Sequence, residues 1–277
     1  DIDSDAGTIQ ARANIDNKGY YTTHITGKDI NIAKAIPTSP LTRTDIILQA
    51  EGTITDMQSL LSGKQGLTIP TGTFKGMATQ TILMGYEYKN IQLNGAYSPH
   101  IYSGKITIDD PNGQLNLQAR YDESQLQPQY TAQIVADSIN LHALNLIDIH
   151  EGRSFSARLN GNIKGKQFNH MTGSIKIDSL TMHREGDDYS INSIALYSFE
   201  SETKTLSLNS DFMNAAVKGD FTYQTIMRSL LAHLHDYLPS LCPSHNHRHI
   251  TSSNQCLVDL QIKDTEPLKE LLLIPIS

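Results

Sequence analysis

The chain of 277 residues contains no tryptophan and only two cysteines, and aromatic residues make up 6% of it. Its hydrophobic share of 38% lies below the ~45–50% usual for globular domains, a figure that also counts glycine. A thick, compact core is therefore not expected, and an elongated body with much surface per residue fits better. No stretch approaches the ~20 apolar residues that span a bilayer; the longest apolar run is Leu271 to Ile274, beside Pro275. Lys and Arg are not clustered, and the formal net charge is −7. The electrostatic footprint of a nucleic-acid binder is absent. No Gly-x-Ser-x-Gly, His-Glu-x-x-His or P-loop sequence occurs, so neither catalysis nor a cofactor is expected. No initiator Met or signal peptide precedes Asp1, and the chain closes in the apolar segment Leu271 to Ile276. Both ends read as interior cuts in a longer protein.

What is abundant is alternation with a period of two, the signature of strands with one apolar face. Ile9, Ala11, Ala13 and Ile15 alternate with Gln10, Arg12 and Asn14. The pattern returns at Ile106 and Ile108, at Leu115, Leu117, Ala119 and Tyr121, and at Ala132, Ile134 and Ala136. It continues through Phe155, Ala157, Leu159 and Ile163, then Ile175 and Ile177, Leu206 and Leu208, and Val217 and Phe221. Asp16-Asn17-Lys18-Gly19, Asp110-Pro111-Asn112-Gly113 and Glu185-Gly186-Asp187-Asp188 supply the Asx and positive-φ residues of tight turns. Strands joined this way are antiparallel neighbours.

Helices are few. Short ones are expected at Asp29–Ile36, Thr55–Ser62 and Leu141–Ile149. One amphipathic helix is expected at Tyr223–Tyr237, ended by Pro239, with Ile226, Met227, Leu230, Leu231, Leu234 and Leu238 at helical spacing. Residues 58–88, punctuated by Gly63, Gly66, Gly72, Gly76 and Gly85, read as the least regular part. A weak internal repeat relates Thr23–Ile32 to Gln133–Leu141: strand, polar pair, then hydrophobic-Asn-hydrophobic. Its spacing suggests one elongated region over 1–277, with modules 1–130 and 131–277.

Candidate chemistry is thin. His245, His247 and His249 alternate and would face one way on a strand, but their spacing fits no structural zinc pattern and Arg248 opposes a cation. They read as a polar loop, with no metal expected. Asp109–Asp110 and Asp187–Asp188 sit in turns, where Asp is favoured for backbone reasons. Cys242 and Cys256 would form a disulfide in an oxidising compartment or remain two thiols, and spacing does not decide between these. The apolar strand faces allow two readings, a closed sandwich core or a face left open to lipid chains.

Between Met171 and Leu241 the strand series runs through Thr172-Gly173-Ser174-Ile175-Lys176-Ile177, Tyr189–Leu196, Leu206–Phe212 and Ala216–Phe221, then the amphipathic helix. This series resembles the periplasmic repeat region of TamB and AsmA-like proteins, in the form found in Bacteroidetes-type bacteria. The resemblance implies a mainly β fold, an elongated antiparallel sheet folded into a lengthwise hydrophobic groove (a β-taco). It implies a periplasmic section of a protein anchored in the inner membrane, working in outer-membrane biogenesis. Phospholipid acyl chains would be its ligands, and a BamA/TamA-like outer-membrane barrel a partner. The groove lining would be Ile106, Ile108, Leu115, Leu117, Ile134, Phe155, Leu159, Ile175, Ile177, Leu206, Leu208, Val217 and Phe221. The competing expectations are a chaperone or scaffold for outer-membrane protein assembly or secretion, and a closed β-sandwich binding or adhesin module.

Overall fold

Alternating segments over short turns give long antiparallel hairpins, and in the computed structural model these join into a single sheet. The structure describes residues 2–37, 39–54, 70–146, 152–226, 229, 254–264 and 266–267. The strands are β1 (Ile2–Ser4), β2 (Gly7–Ile15), β3 (Tyr20–Ile30), β4 (Leu41–Thr53), β5 (Thr71–Leu83), β6 (Tyr86–Tyr88), β7 (Ile91–Ser98), β8 (Ile101–Asp110) and β9 (Gly113–Asp122). They continue as β10 (Gln129–Ile139), β11 (Ser154–Lys164), β12 (Thr172–Arg184), β13 (Asp187–Ile191), β14 (Ile194–Glu200), β15 (Lys204–Ser210), β16 (Met213–Asp220) and β17 (Gln255–Ile262). Each strand pairs antiparallel with the next in sequence, except that β6 and β13 are short spurs on β5 and β12, while β7 and β14 continue the main sheet. The suggested module boundary at 130/131 falls inside β10, which pairs with β9 along nearly its whole length. All described strands belong to one open sheet, so no closed sandwich is formed among the described residues.

The turns follow the expected chemistry. Asp16 Oδ1 accepts from the backbone N–H of Lys18 (2.8 Å) and Tyr20 (2.9 Å). Asp110, only 5% exposed, accepts from the Tyr86 hydroxyl (2.6 Å) and from the N–H groups of Lys89 and Asn112 (2.9 Å each). Its buried carboxylate is satisfied by donors, as burial requires, and its role is architectural.

A line of β-bulges creases the sheet. Register shifts interrupt β3 between Gly27 and Ile30, β4 around Arg43, and β10 between Ala136 and Ile139. Asp29, Gln80 and Ser138 take positive φ of 54°, 50° and 52° at these points. A bulged strand bends, and side-chain bonds hold each bend. The Asp29 N–H donates to Asp45 Oδ1 (2.7 Å), and Arg43 pairs with Asp29 (2.5 Å) and donates to Gln80 (2.9 Å). The Ser138 N–H donates to Ser156 Oγ (3.0 Å), which also contacts Asp137 and His183. The internal repeat marks this step: Asn31 and Asn140, its equivalent asparagines, each accept from the N–H three residues on.

Beyond the crease the strands continue as a short arm. It includes Ile30, Thr44, Thr81 and Tyr88, and further along Ile139, Phe155 and Met182 in register. Met182 is 1% exposed, and Thr44 and Thr81 share a buried hydroxyl pair at 2.9 Å. Residues 140–146 bridge the arm's two parts, with Asn140 donating to Asn112 and Asn145 to Met84, and bury Leu144. This segment consists of turns rather than the helix expected at Leu141–Ile149, of which residues 147–149 lie outside the described residues. Its leucines have helical spacing, but the Asn140 cap leads into a chain that must cross strand ends.

The other helices differ too. α1 is one turn, Ile32–Ala35, because β3 runs on to Ile30. Residues 223–226 are helical, and most of the expected Tyr223–Tyr237 helix lies outside the described residues, as do residues 55–62. Among the described residues the closed core is small: Val217, Phe221 and Ile226, with Leu206, Tyr223 and Cys256 around them. Beside it the buried Lys204 donates to the Phe221 carbonyl (2.9 Å), with its ammonium 4.9 Å from the Tyr223 ring centre.

The stretch expected to be irregular contains β5, a continuous strand of 13 residues. Its glycines are strand positions, and Gly72 lies under tyrosines. Tyr21 on β3 and Tyr97 on β7 join their hydroxyls over Gly52 and Gly72. A Cβ on Gly72 would lie 2.5 Å from the Tyr21 hydroxyl and 2.8 Å from that of Tyr97. Gly72→Val is expected to cost about 2–4 kcal/mol, by overpacking and loss of this bridge. Urea unfolding should show it as a lower midpoint, and an unchanged midpoint would refute the packing account.

Candidate functional site: the two faces of one sheet

Residues directly opposite in an antiparallel pair share a face. The register therefore extends four rows of side chains across the sheet. The row next to the crease runs Ile9, Gly27, Ile46, Ala78, Ile91, Ile108, Leu115, Ala136, Ala157, Leu180, Ile191. The second runs Ala11, Ile25, Leu48, Gly76, Leu93, Ile106, Leu117, Ile134, Leu159, Ile177, Ile194 and ends on Ser210. The third is small at its centre, with Gly95, Gly104, Ala119, Ala132 and Gly161, before Ile175, Leu196, Leu208, Ala215 and Leu260. The fourth holds Tyr97, Tyr102, Tyr121 and Tyr130, then Ile163, and at its far end Leu206, Val217 and Val258.

These rows contain no carboxylate, amine, guanidinium or imidazole. The sequence-predicted residues fall into them as follows. Ile108 and Leu115 lie in the first row; Ile106, Leu117, Ile134, Leu159 and Ile177 in the second; Ile175 and Leu208 in the third; Leu206 and Val217 in the fourth. Phe155 lies beyond the crease, opposite Ile139 and Met182. Val217 (5% exposed) and Phe221 (2%) belong to the small closed core. Most of the rest are half-buried, and Ile106 is 38% exposed. Cys256 lies on β17 opposite Gly219, while Cys242 and the histidines 245, 247 and 249 lie outside the described residues.

Two features escaped the sequence reading. One is the tyrosine ridge, in which Tyr102 and Tyr121 rings lie 6.1 Å apart and Tyr121 and Tyr130 rings 4.9 Å apart. Each tyrosine was visible on its own strand, but their alignment needs the register. The other is on the opposite face. A concavity of about 990 Å³ is a polar trough between β5 and β12, lined by Asn94, Lys105, Gln118, Gln133, Asn160 and Lys176 among others. Smaller concavities of about 420 and 480 Å³ adjoin it on the same face, sharing Thr73 and Asn94 with it respectively.

Among the described residues no His, Cys, Asp and Glu group could hold a metal ion, and no helix is long and apolar enough to cross a membrane. The chain matches no protein-family model, and no curated protein or solved structure is significantly similar to it.

The tyrosines are electrostatically distinctive. A hydrogen bond to Glu123 (2.8 Å), with burial and the Glu123 charge, pushes the Tyr121 phenol up to about 12. Burial foremost, then the bond to Tyr97, raises Tyr21, and burial raises Tyr86 and Tyr88. A phenol raised in the folded state stabilises the fold below the unfolded value of about 10 and loses that contribution as pH rises through the raised value. Stability in urea is thus expected to fall progressively above about pH 10, and Tyr121→Phe to flatten part of that fall. A stability profile flat through this alkaline range would contradict the assignment.

Proposed function

We propose that the apolar face receives lipid acyl chains and that this chain serves as a section of a hydrophobic conduit for phospholipid. The observation that carries this reading is the set of uncharged rows that together reach from β2 to β17, half-exposed and, among the described residues, not sealed under a second layer. At about 4.8 Å per strand the rows extend about 60 Å. Contiguous exposed apolar surface of that length is rare on a monomer without a use for it. An acyl chain gains about 0.8 kcal/mol per buried CH₂ and needs no polar recognition. The small third row, between an aliphatic row and the tyrosine ridge, offers the slimmest strip for such a chain. Successive positions along a row are chemically alike, so a chain can move without meeting a deep trap. Placement in the periplasm, and hand-over to an outer-membrane barrel, rest on the family resemblance and belong to the same proposal.

The test is binding of a fluorescent fatty acid and of phospholipid from vesicles. Ile106→Glu and Leu208→Glu place a charge on the rows and are expected to weaken binding at least tenfold, whereas alanine at either position should cost less than about threefold. Asn94→Glu, on the polar face, serves as the control. Full binding by both charged row variants would sink the proposal. Crosslinks from Ile106 to unfolded outer-membrane protein rather than lipid would favour the chaperone reading instead.

A further inference from the structure

The polar trough has a charge character opposed to that of the whole molecule. Its lining contains Lys105, Arg120 and Lys176 and no carboxylate, although the chain carries a formal net charge of −7. Two acids stand at its margin: Asp122 accepts from Arg120 (2.8 Å) and Asp178 from Asn160 (2.6 Å). Among the described residues Lys105 and Lys176 form no ion pair; the Lys176 ammonium stands 5.8 Å from the Tyr197 ring centre. Lys75, in the same row as Lys105, lines the adjoining concavity.

The arrangement is linear. Lys75, Asn94, Lys105, Gln118, Gln133, Asn160 and Lys176 are successive cross-strand partners, one per strand from β5 to β12. At about 4.8 Å per strand, Lys75 and Lys105 stand about 10 Å apart, and Lys105 and Lys176 about 19 Å. The amides between them each offer donors and an acceptor, which suits hydroxyl groups at close intervals. Cations at longer intervals suit occasional acidic groups. The lining's one aromatic residue, Phe74, belongs to the apolar third row, so there is no stacking platform for nucleic-acid bases. We infer that this trough binds an extended anionic polysaccharide laid across the strands, on the face opposite the apolar rows.

Affinity electrophoresis of the full chain through gels containing polygalacturonate, with uncharged dextran as comparison, tests this. Retardation is expected with polygalacturonate, weakened by salt, and not with dextran. The double variant K105E/K176E should lower affinity at least tenfold. K28E/K218E, the same charge change at exposed lysines outside the trough, should lower it less than about threefold, the residue of long-range screening. Circular dichroism confirms that both variants fold. Absence of retardation, equal retardation by dextran, or equal weakening by both pairs of substitutions would each overturn the inference.

Discussion

A residue in an antiparallel sheet shares its face with the residue directly opposite, and a slip of one position would send every apolar side chain to the other side. All the larger features of this molecule depend on that register holding from one hairpin to the next. The four apolar rows, the tyrosine ridge and the polar ladder behind them exist only because each turn delivers its strand in phase. The turns do so with local bonds, such as the Asp16 carboxylate capping its own hairpin. Among the described residues only Val217, Phe221 and Ile226 form a closed cluster of buried residues, and there cohesion rests on backbone ladders and cross-strand pairs more than on a core.

The crease adds curvature without breaking phase. The bulges at Asp29, Gln80 and Ser138 each place one residue in the left-handed region, a backbone cost of order 1 kcal/mol, and polar contacts between neighbouring strands hold them. Arg43 joins β3 to β5, and Ser156 joins β10 to β12. The exposed Arg43–Asp29 ion pair is worth little by itself; its effect, with these hydrogen bonds, is to fix where the strands bend. Burial is uneven across the rows: Ile191 and Ala78 in the first are buried, while Ile106 in the second is half-exposed.

Much of the sheet was legible in the sequence, for a physical reason. A strand with one apolar face must alternate, and Leu115 to Tyr121 alternates without exception. The repeat of hydrophobic-Asn-hydrophobic was visible as well, although its meaning as a bend was not. β5 was hidden because Gly72 and Gly76 replace the large side chains that alternation needs, and for Gly72 the reason lies on other strands, in Tyr21 of β3 and Tyr97 of β7. Leu141 to Leu146 imitates a helix because spacing alone cannot reveal that the segment bridges strand ends. The lining residues could be placed on one face from the sequence. The polar trough could not, since Lys105 and Lys176 become neighbours in a row only through the strands between them.

The spurs β6 and β13 show that the sheet tolerates interruption without losing its rows, because β7 and β14 resume in the register the spurs leave. Length and width in such a body are therefore separate quantities. Strand length sets how many rows there are and what the cross-section looks like. The number of hairpins sets how far the rows run. Adding or deleting one whole hairpin changes the span by about 10 Å and returns every row to the same face, whereas a single inserted strand would reverse the chain's direction. A molecule of this construction can be matched to a distance in steps of two strands, with its surface chemistry unchanged at every length.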